Sequence, residues 1–153
     1  MKKSVMISAA IVSMCFSGCA NNSKEEVYTF SGENEMVTLE DGKIIVDGNE
    51  RTYEGGEITL SSDVDSSKFM SCEITIYYEN SQDEKLPLLE YEYPEDSKPI
   101  EIKAYDIGSI TSSDSYYLVG IDELKNNLYV DIMGQIGDEE YQIITLPLHL
   151  DKE

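Results

Sequence analysis

From Val27 to the C-terminus, apolar and polar residues alternate in short runs, and Gly, Asn, Asp or Pro breaks each run after about eight to twelve residues. Alternation with a period of two gives a strand one buried and one wet face, and runs at this spacing predict an antiparallel sandwich or barrel. The clearest unit is Met36–Glu40, Asp41-Gly42, Lys43–Asp47. Asp-Gly suits a two-residue hairpin turn, whose central positions both need φ > 0. The implied register sets Glu40 opposite Lys43, Leu39 opposite Ile44 and Val37 opposite Val46, with the four apolar residues on one face.

The remaining runs follow in order. Gly48-Asn49-Glu50 predicts a three-residue turn that sets Asp47 against Arg51 rather than against Glu50. Gly55-Gly56 reads as a bulge or corner before a short strand Glu57–Leu60. Ser61–Ser67 reads as an acidic loop, Phe69–Tyr78 as a long strand with Cys72, Ile74, Ile76 and Tyr78 on one face, and Glu79–Lys85 as a polar turn. Pro87 and Pro94 make Leu86–Tyr93 an edge or bulged strand, with Leu89, Tyr91 and Tyr93 on one side. Ile100–Ala104 alternates, Tyr116–Ile121 is apolar enough for a central strand, and Asp122–Asn126 suits one helical turn capped by Asp122. Leu128, Val130 and Ile132 alternate with Tyr129, Asp131 and Met133 ahead of a loop at Gly134–Asp138. Tyr141–Leu150 closes the chain as one strand. The expected fold is an all-β antiparallel β-sandwich with an immunoglobulin-like layout, a small β-barrel being the alternative, and it forms one domain over residues 27–153.

Residues 1–26 are different in kind. Met1-Lys2-Lys3 is basic, Val5–Phe16 is an apolar stretch of about a dozen residues, too short to span a bilayer as a helix, and Phe16-Ser17-Gly18-Cys19 closes it. This order of charge, apolar length and Gly-Cys resembles the signal and lipobox of bacterial lipoproteins. The resemblance implies a signal-peptide helix over residues 1–18, cleavage between Gly18 and Cys19, and a diacylglyceryl (palmitate-bearing) group on Cys19. Phe16 stands where that family usually has an aliphatic residue. Residues 19–26 then form the lipidated cysteine and a polar tether. Two or more acyl chains hold a protein durably, since each buried methylene contributes about 0.8 kcal/mol. The implied location is extracytoplasmic, at the cell membrane, with a Gram-positive host favoured over a Gram-negative outer membrane. Three further stretches, Phe30–Glu35, Tyr53–Gly56, and Leu124–Val130 with Tyr141–Ile144, resemble segments of small, β-rich lipoproteins of low-GC Gram-positive bacteria. That resemblance carries no functional residue over to this chain.

Charge and rare residues narrow the chemistry. The chain has 31 acidic and 11 basic residues and a net charge of −20. Nucleic acid is excluded as a partner, because phosphate contacts need clustered Lys and Arg. The lipoprotein resemblance implies that Cys15 leaves with the leader and that Cys19 carries the lipid, which leaves Cys72 without a partner for a disulfide framework. The only histidine, His149, lies on the face opposite the leucines of the last strand, and no Gly-x-Ser-x-Gly is present. The expectation is therefore a non-enzymatic binding or accessory module without a cofactor, presenting a surface to a protein or glycan at the envelope. Tyr77, Tyr91, Tyr93 and Tyr129, of eleven tyrosines, are the candidate binding surface. The alternatives are a small-ligand or calcium carrier, with Asp63 and Asp65 as candidate oxygen ligands, and a hydrolase working through paired carboxylates.

Overall fold

The computed structural model describes residues 24–61, 69–92, 105–136 and 141–153. It is an all-β sandwich. The strands are β1 (Glu26–Glu33), β2 (Val37–Asp47), β3 (Glu50–Glu54), β4 (Glu57–Leu60), β5 (Phe69–Glu79), β6 (Lys85–Glu92), β7 (Tyr105–Asp106), β8 (Ser109–Ser112), β9 (Leu128–Ile136), β10 (Tyr141–Pro147) and β11 (His149–Lys152). One seven-stranded sheet runs β11-β1-β2-β3-β8, with β4 and β7 continuing its β2 side. The other has four strands in the order β10-β9-β5-β6. The inward faces meet in one core that includes Leu39, Ile44, Ile74, Ile76, Val130 and Leu146, each at most 2% exposed. In an immunoglobulin layout the second and third strands lie in opposite sheets. Here β1, β2 and β3 are consecutive neighbours in one sheet, so the sandwich has its own strand order.

The expected Asp41-Gly42 hairpin is corrected. Residues 37–47 are a single strand, and Glu40-Asp41 form a bulge within it, opposite Ser31. Phe30 pairs with Gly42 and Gly32 with Leu39, so β2 carries one residue more than β1 across this point. Opposite the bulge, β3 pairs with residues 43–47 and β4 with residues 37–40, which leaves Gly55-Gly56 beside Asp41-Gly42. In the next path β8 pairs with β3 and β7 with β4, which places Ile107-Gly108 beside Gly55-Gly56. Two bonds stitch that step: Gly55 N–H to the Gly108 carbonyl at 2.8 Å, and Ile107 N–H to the Gly56 carbonyl at 3.1 Å. Asp41, Gly56 and Gly108 all have positive φ, at 59°, 78° and 84°. The sheet is thus creased along a line that crosses three adjacent strand paths.

Three other expectations change. The turn after β2 has two residues, because Asp47 pairs with Glu50 and Val46 with Arg51. This register turns Arg51 and Tyr53 inward, while Asp47 and Glu50 stay exposed, where water screens their repulsion. The segment expected as a central strand at Tyr116–Ile121 is a 3-10 turn at Ser115–Tyr117, capped by Asp114, leading into a short helix α1 (Ile121–Leu124) capped by Gly120 rather than Asp122. Its carbonyls accept from sheet side chains instead of from a strand: Tyr53 Oη donates to Tyr117 O at 2.6 Å and Arg51 Nη1 donates to Val119 O. Finally, β9 continues to Ile136, into the first part of the expected loop, since Gly134 pairs with Cys72 and Ile136 with Phe69.

The last run, expected as one strand, changes sheets at Leu148. β10 ends on the edge of the four-stranded sheet and β11 starts on the edge of the seven-stranded one. Ile144, Leu146, Leu148 and Leu150 all stay buried through the crossing, and Leu148 N–H bonds the Leu128 carbonyl at 2.9 Å. The edge and bulge expected in β6 are both present: Ile76 pairs with Leu89 and Tyr77 with Pro87, leaving Leu88 as the extra residue. Residues 1–23, 62–68, 93–104 and 137–140, with Gly18, Cys19, Asp63, Asp65, Tyr93, the leader and most of the acidic loop, lie outside the described residues, and so does the Ile100–Ala104 run.

Candidate functional site

The outer face of the four-stranded sheet is built by alternation, interrupted by the bulge in β6. Where Ile74, Ile76, Val130, Ile132, Ile144 and Leu146 point into the core, the residues between them point out. The ladder aligns these outward residues in rows across the strands. Pro147, Tyr129, Tyr77 and Pro87 form one row; Thr145, Asp131, Thr75 and Glu90 the next; Ile143, Met133, Glu73 and Glu92 the third.

Tyr77 and Tyr129 stack at 5.6 Å between ring centroids with their planes 21° apart. Lys85 reaches over from the start of β6, with its ammonium 4.5 Å from the Tyr77 ring centroid. Asp131 gathers the polar groups. Its Oδ2 lies 2.7 Å from Lys85 Nζ, and its Oδ1 accepts from Thr145 Oγ1 at 2.6 Å and from Tyr77 Oη at 3.2 Å. Four strands are therefore tied together on one surface. Lys85 is held protonated above its ordinary range, chiefly by the hydrogen bond to Asp131 and then by Tyr77. Burial pushes the Tyr77 phenol up, and the nearby Asp131 charge adds to this. A lysine kept charged is no nucleophile, and a carboxylate already serving three donors has little capacity left as a general base. Beside the cluster runs a shallow groove of about 270 Å³, bordered by Met133, Ile143, Pro87, Glu73 and Glu90.

The three candidate tyrosines among the described residues, Tyr77, Tyr91 and Tyr129, do not form one patch. Tyr77 and Tyr129 are brought together, but Tyr77 is only 2% exposed and serves as the floor of the cluster. Tyr91 pairs with Ile74 and packs against the core from the inward face. His149 is exposed on the edge strand β11, opposite Ser31. A second hollow, of about 400 Å³, lies along the crease between Asp41, Glu54, Glu57 and Asp106. Among the described residues no group of three His, Cys, Asp or Glu is placed to hold a metal ion, and no helix is long and apolar enough to cross a membrane. Lys85 and Thr145 went unseen in the sequence. Lys85 sits at the end of a polar turn, and only the register of β5, β6, β9 and β10 brings these residues to one place.

No family model, curated protein or solved structure matches this chain.

Proposed function

We propose that this chain is a lipid-anchored extracytoplasmic protein whose β domain is a non-enzymatic binding or accessory module at the cell envelope. The leader and Phe16-Ser17-Gly18-Cys19 support the anchor. The single observation that carries the binding role is the outer face of the four-stranded sheet. It is fixed from beneath by the Tyr77–Asp131–Lys85–Thr145 network, and it exposes Ile143 at 62% beside Met133 in a chain that is otherwise strongly acidic. A shallow, cross-tied surface suits a protein or glycan face better than a reaction that must wrap a substrate. The space between the sheets is filled by Leu39, Leu124, Val130 and Leu146, each fully buried, which favours a surface partner over a small ligand carried inside.

The experiment is membrane fractionation with metabolic palmitate labelling of the native chain and of Cys19→Ala. The native chain is expected in the membrane fraction and labelled. Cys19→Ala is expected to lose the label and to leave that fraction as a folded domain. A Cys19→Ala chain that still labels and still sediments with membranes rejects the anchor.

A further inference from the structure

An exposed sheet edge is a row of unpaired N–H and C=O groups, and proteins blunt such edges with charge, proline, bulges or shortness. Among the described residues four edges are blunted, the shortest being β7 with two residues. β6 carries Lys85, Glu90, Glu92, Pro87 and a bulge; β11 is four residues long and includes Asp151 and Lys152; β8 is four residues long and adjoins the crease. β10 is not. Its seven residues, Tyr141-Gln-Ile-Ile-Thr-Leu-Pro147, hold no charge and no bulge, and the strand ends the four-stranded sheet.

The direction of its free groups follows from the ladder. Leu148 N–H bonds the Leu128 carbonyl at the start of β9, so even-numbered residues of this run turn their backbone groups toward β9. Ile143 and Thr145 therefore turn theirs outward. Pro147, with no N–H to lose, falls on the same open side, where an edge strand tolerates proline. The open stretch has a limit at that end: a Cβ on Gly32 of β1 would stand 2.6 Å from the Pro147 carbonyl oxygen, so β1 already occupies the space beside Pro147. What is left runs from Tyr141 to Thr145, and its midpoint is Ile143, at 62% the most exposed large apolar side chain among the described residues.

We propose that β10 is a self-association edge, to which a second copy of this chain adds its own β10 antiparallel about a two-fold axis at Ile143. In that register Ile143 meets the copy's Ile143, and Tyr141 meets its Thr145. Each pair joins residues whose backbone groups already point outward. The charge distribution selects a second copy as the occupant. A cationic partner strand would be recognised by carboxylates along the edge, and β10 has none. Two chains of charge −20 can approach closely along Tyr141–Thr145, a run that itself carries no charge. The two four-stranded sheets then become one continuous sheet, and the tied outer faces lie side by side. The inference stands whether or not Cys19 carries lipid.

The test uses the full chain with Cys15→Ser, Cys19→Ser and Cys72→Ser, which removes any dependence on the anchor. Single cysteines are then introduced as Ile143→Cys or, on the other sheet, Thr59→Cys. A short bis-maleimide is expected to double the mass of the Ile143→Cys chain and not of the Thr59→Cys chain. Equal cross-linking, or none at Ile143→Cys, overturns the proposal. Independently, sedimentation equilibrium of the native-cysteine chain under reducing conditions is expected to show a dimer that strengthens with salt, as association of like-charged molecules does. Ile143→Glu, at an exposed position, sets two like charges face to face and is expected to weaken the dimer by roughly a hundredfold, with its circular dichroism unchanged. A monomer at high micromolar concentration in high salt, a dimer weakened by salt, or one that survives Ile143→Glu overturns it.

Discussion

At the scale of single residues, the cluster around Asp131 is arranged so that one carboxylate answers several donors, and the cost of breaking it depends on which partner goes. Asp131→Ala leaves the nearly buried Tyr77 hydroxyl without its acceptor, and a loss of about 1–3 kcal/mol is expected. Tyr77→Phe removes the hydroxyl together with its need for a partner, and about 1 kcal/mol is expected. Lys85→Met is expected to cost less than about 1 kcal/mol, because the lysine side chain is 55% exposed. Urea unfolding of the three variants checks that order. Titration gives a second prediction. Burial raises the phenol of Tyr53, beside the Arg51 charge that partly offsets it, and burial also raises that of Tyr77. An acid whose folded pKa is raised deprotonates first in the unfolded chain, so its contribution is complete below the ordinary tyrosine value and fades as pH rises through the folded value. The melting temperature is expected to fall from about pH 10 upward. Because the chain has eleven tyrosines and no tryptophan, tyrosinate absorbance reads the late-titrating phenols directly. Part of this was legible beforehand. The alternation that puts Leu89 in the core carries Tyr91 inward with it, so Tyr91 could have been parted from Tyr77 and Tyr129 by parity alone.

Among elements, the crease shows why a well-supported local pattern gave the right faces and the wrong topology. A hairpin at Asp41-Gly42 and a bulge at Glu40-Asp41 shift the parity of the following residues alike, so Val37, Leu39, Ile44 and Val46 share the inward face under either one. What separates them lies elsewhere in the chain: β1 pairs with β2 on both sides of the bulge, and Gly55-Gly56 and Ile107-Gly108 break their own strands at the same level. Gly56 is constrained twice over, by its φ and by backbone packed against it. It combines φ of 78° with a Cβ position only 2.2 Å from the Glu40 carbonyl oxygen, whereas Gly108, at φ 84°, has open space around that position. Gly108→Ala is therefore expected to cost about 1–2 kcal/mol, the strain of a left-handed backbone alone. Gly56→Ala must also displace backbone of β2, and a loss above about 3 kcal/mol is expected. Chemical denaturation of the pair measures the difference. A Gly56→Ala no more destabilised than Gly108→Ala would mean that the crease yields easily.

For the molecule as a whole, the balance is between a continuous core and a surface that repels itself. The period-two pattern revealed the core, because it needs only that each strand have an inward side. It did not reveal that the last run serves both sheets, since Ile144, Leu146, Leu148 and Leu150 face inward before and after the crossing and leave no break in the pattern. With 31 acids against 11 bases, repulsion acts over the whole surface, while the ion pairs at Lys85–Asp131 and Lys152–Glu26 are local and partly exposed. Salt weakens both effects, and the sign of its action tells which is larger. Raising ionic strength from about 0.01 M to 0.15 M shortens the screening length from roughly 30 Å to 8 Å, which cuts the long-range repulsion before it reaches pairs held at contact distance. Stability in urea is therefore expected to rise with sodium chloride over that range and then level off. Urea rather than guanidinium is required, because guanidinium chloride is itself a salt. The same curve measured on Lys85→Met separates the two effects: if repulsion dominates, the variant keeps nearly all of the salt-induced gain, and a native chain that loses stability with salt would show that the ion pairs outweigh the surface.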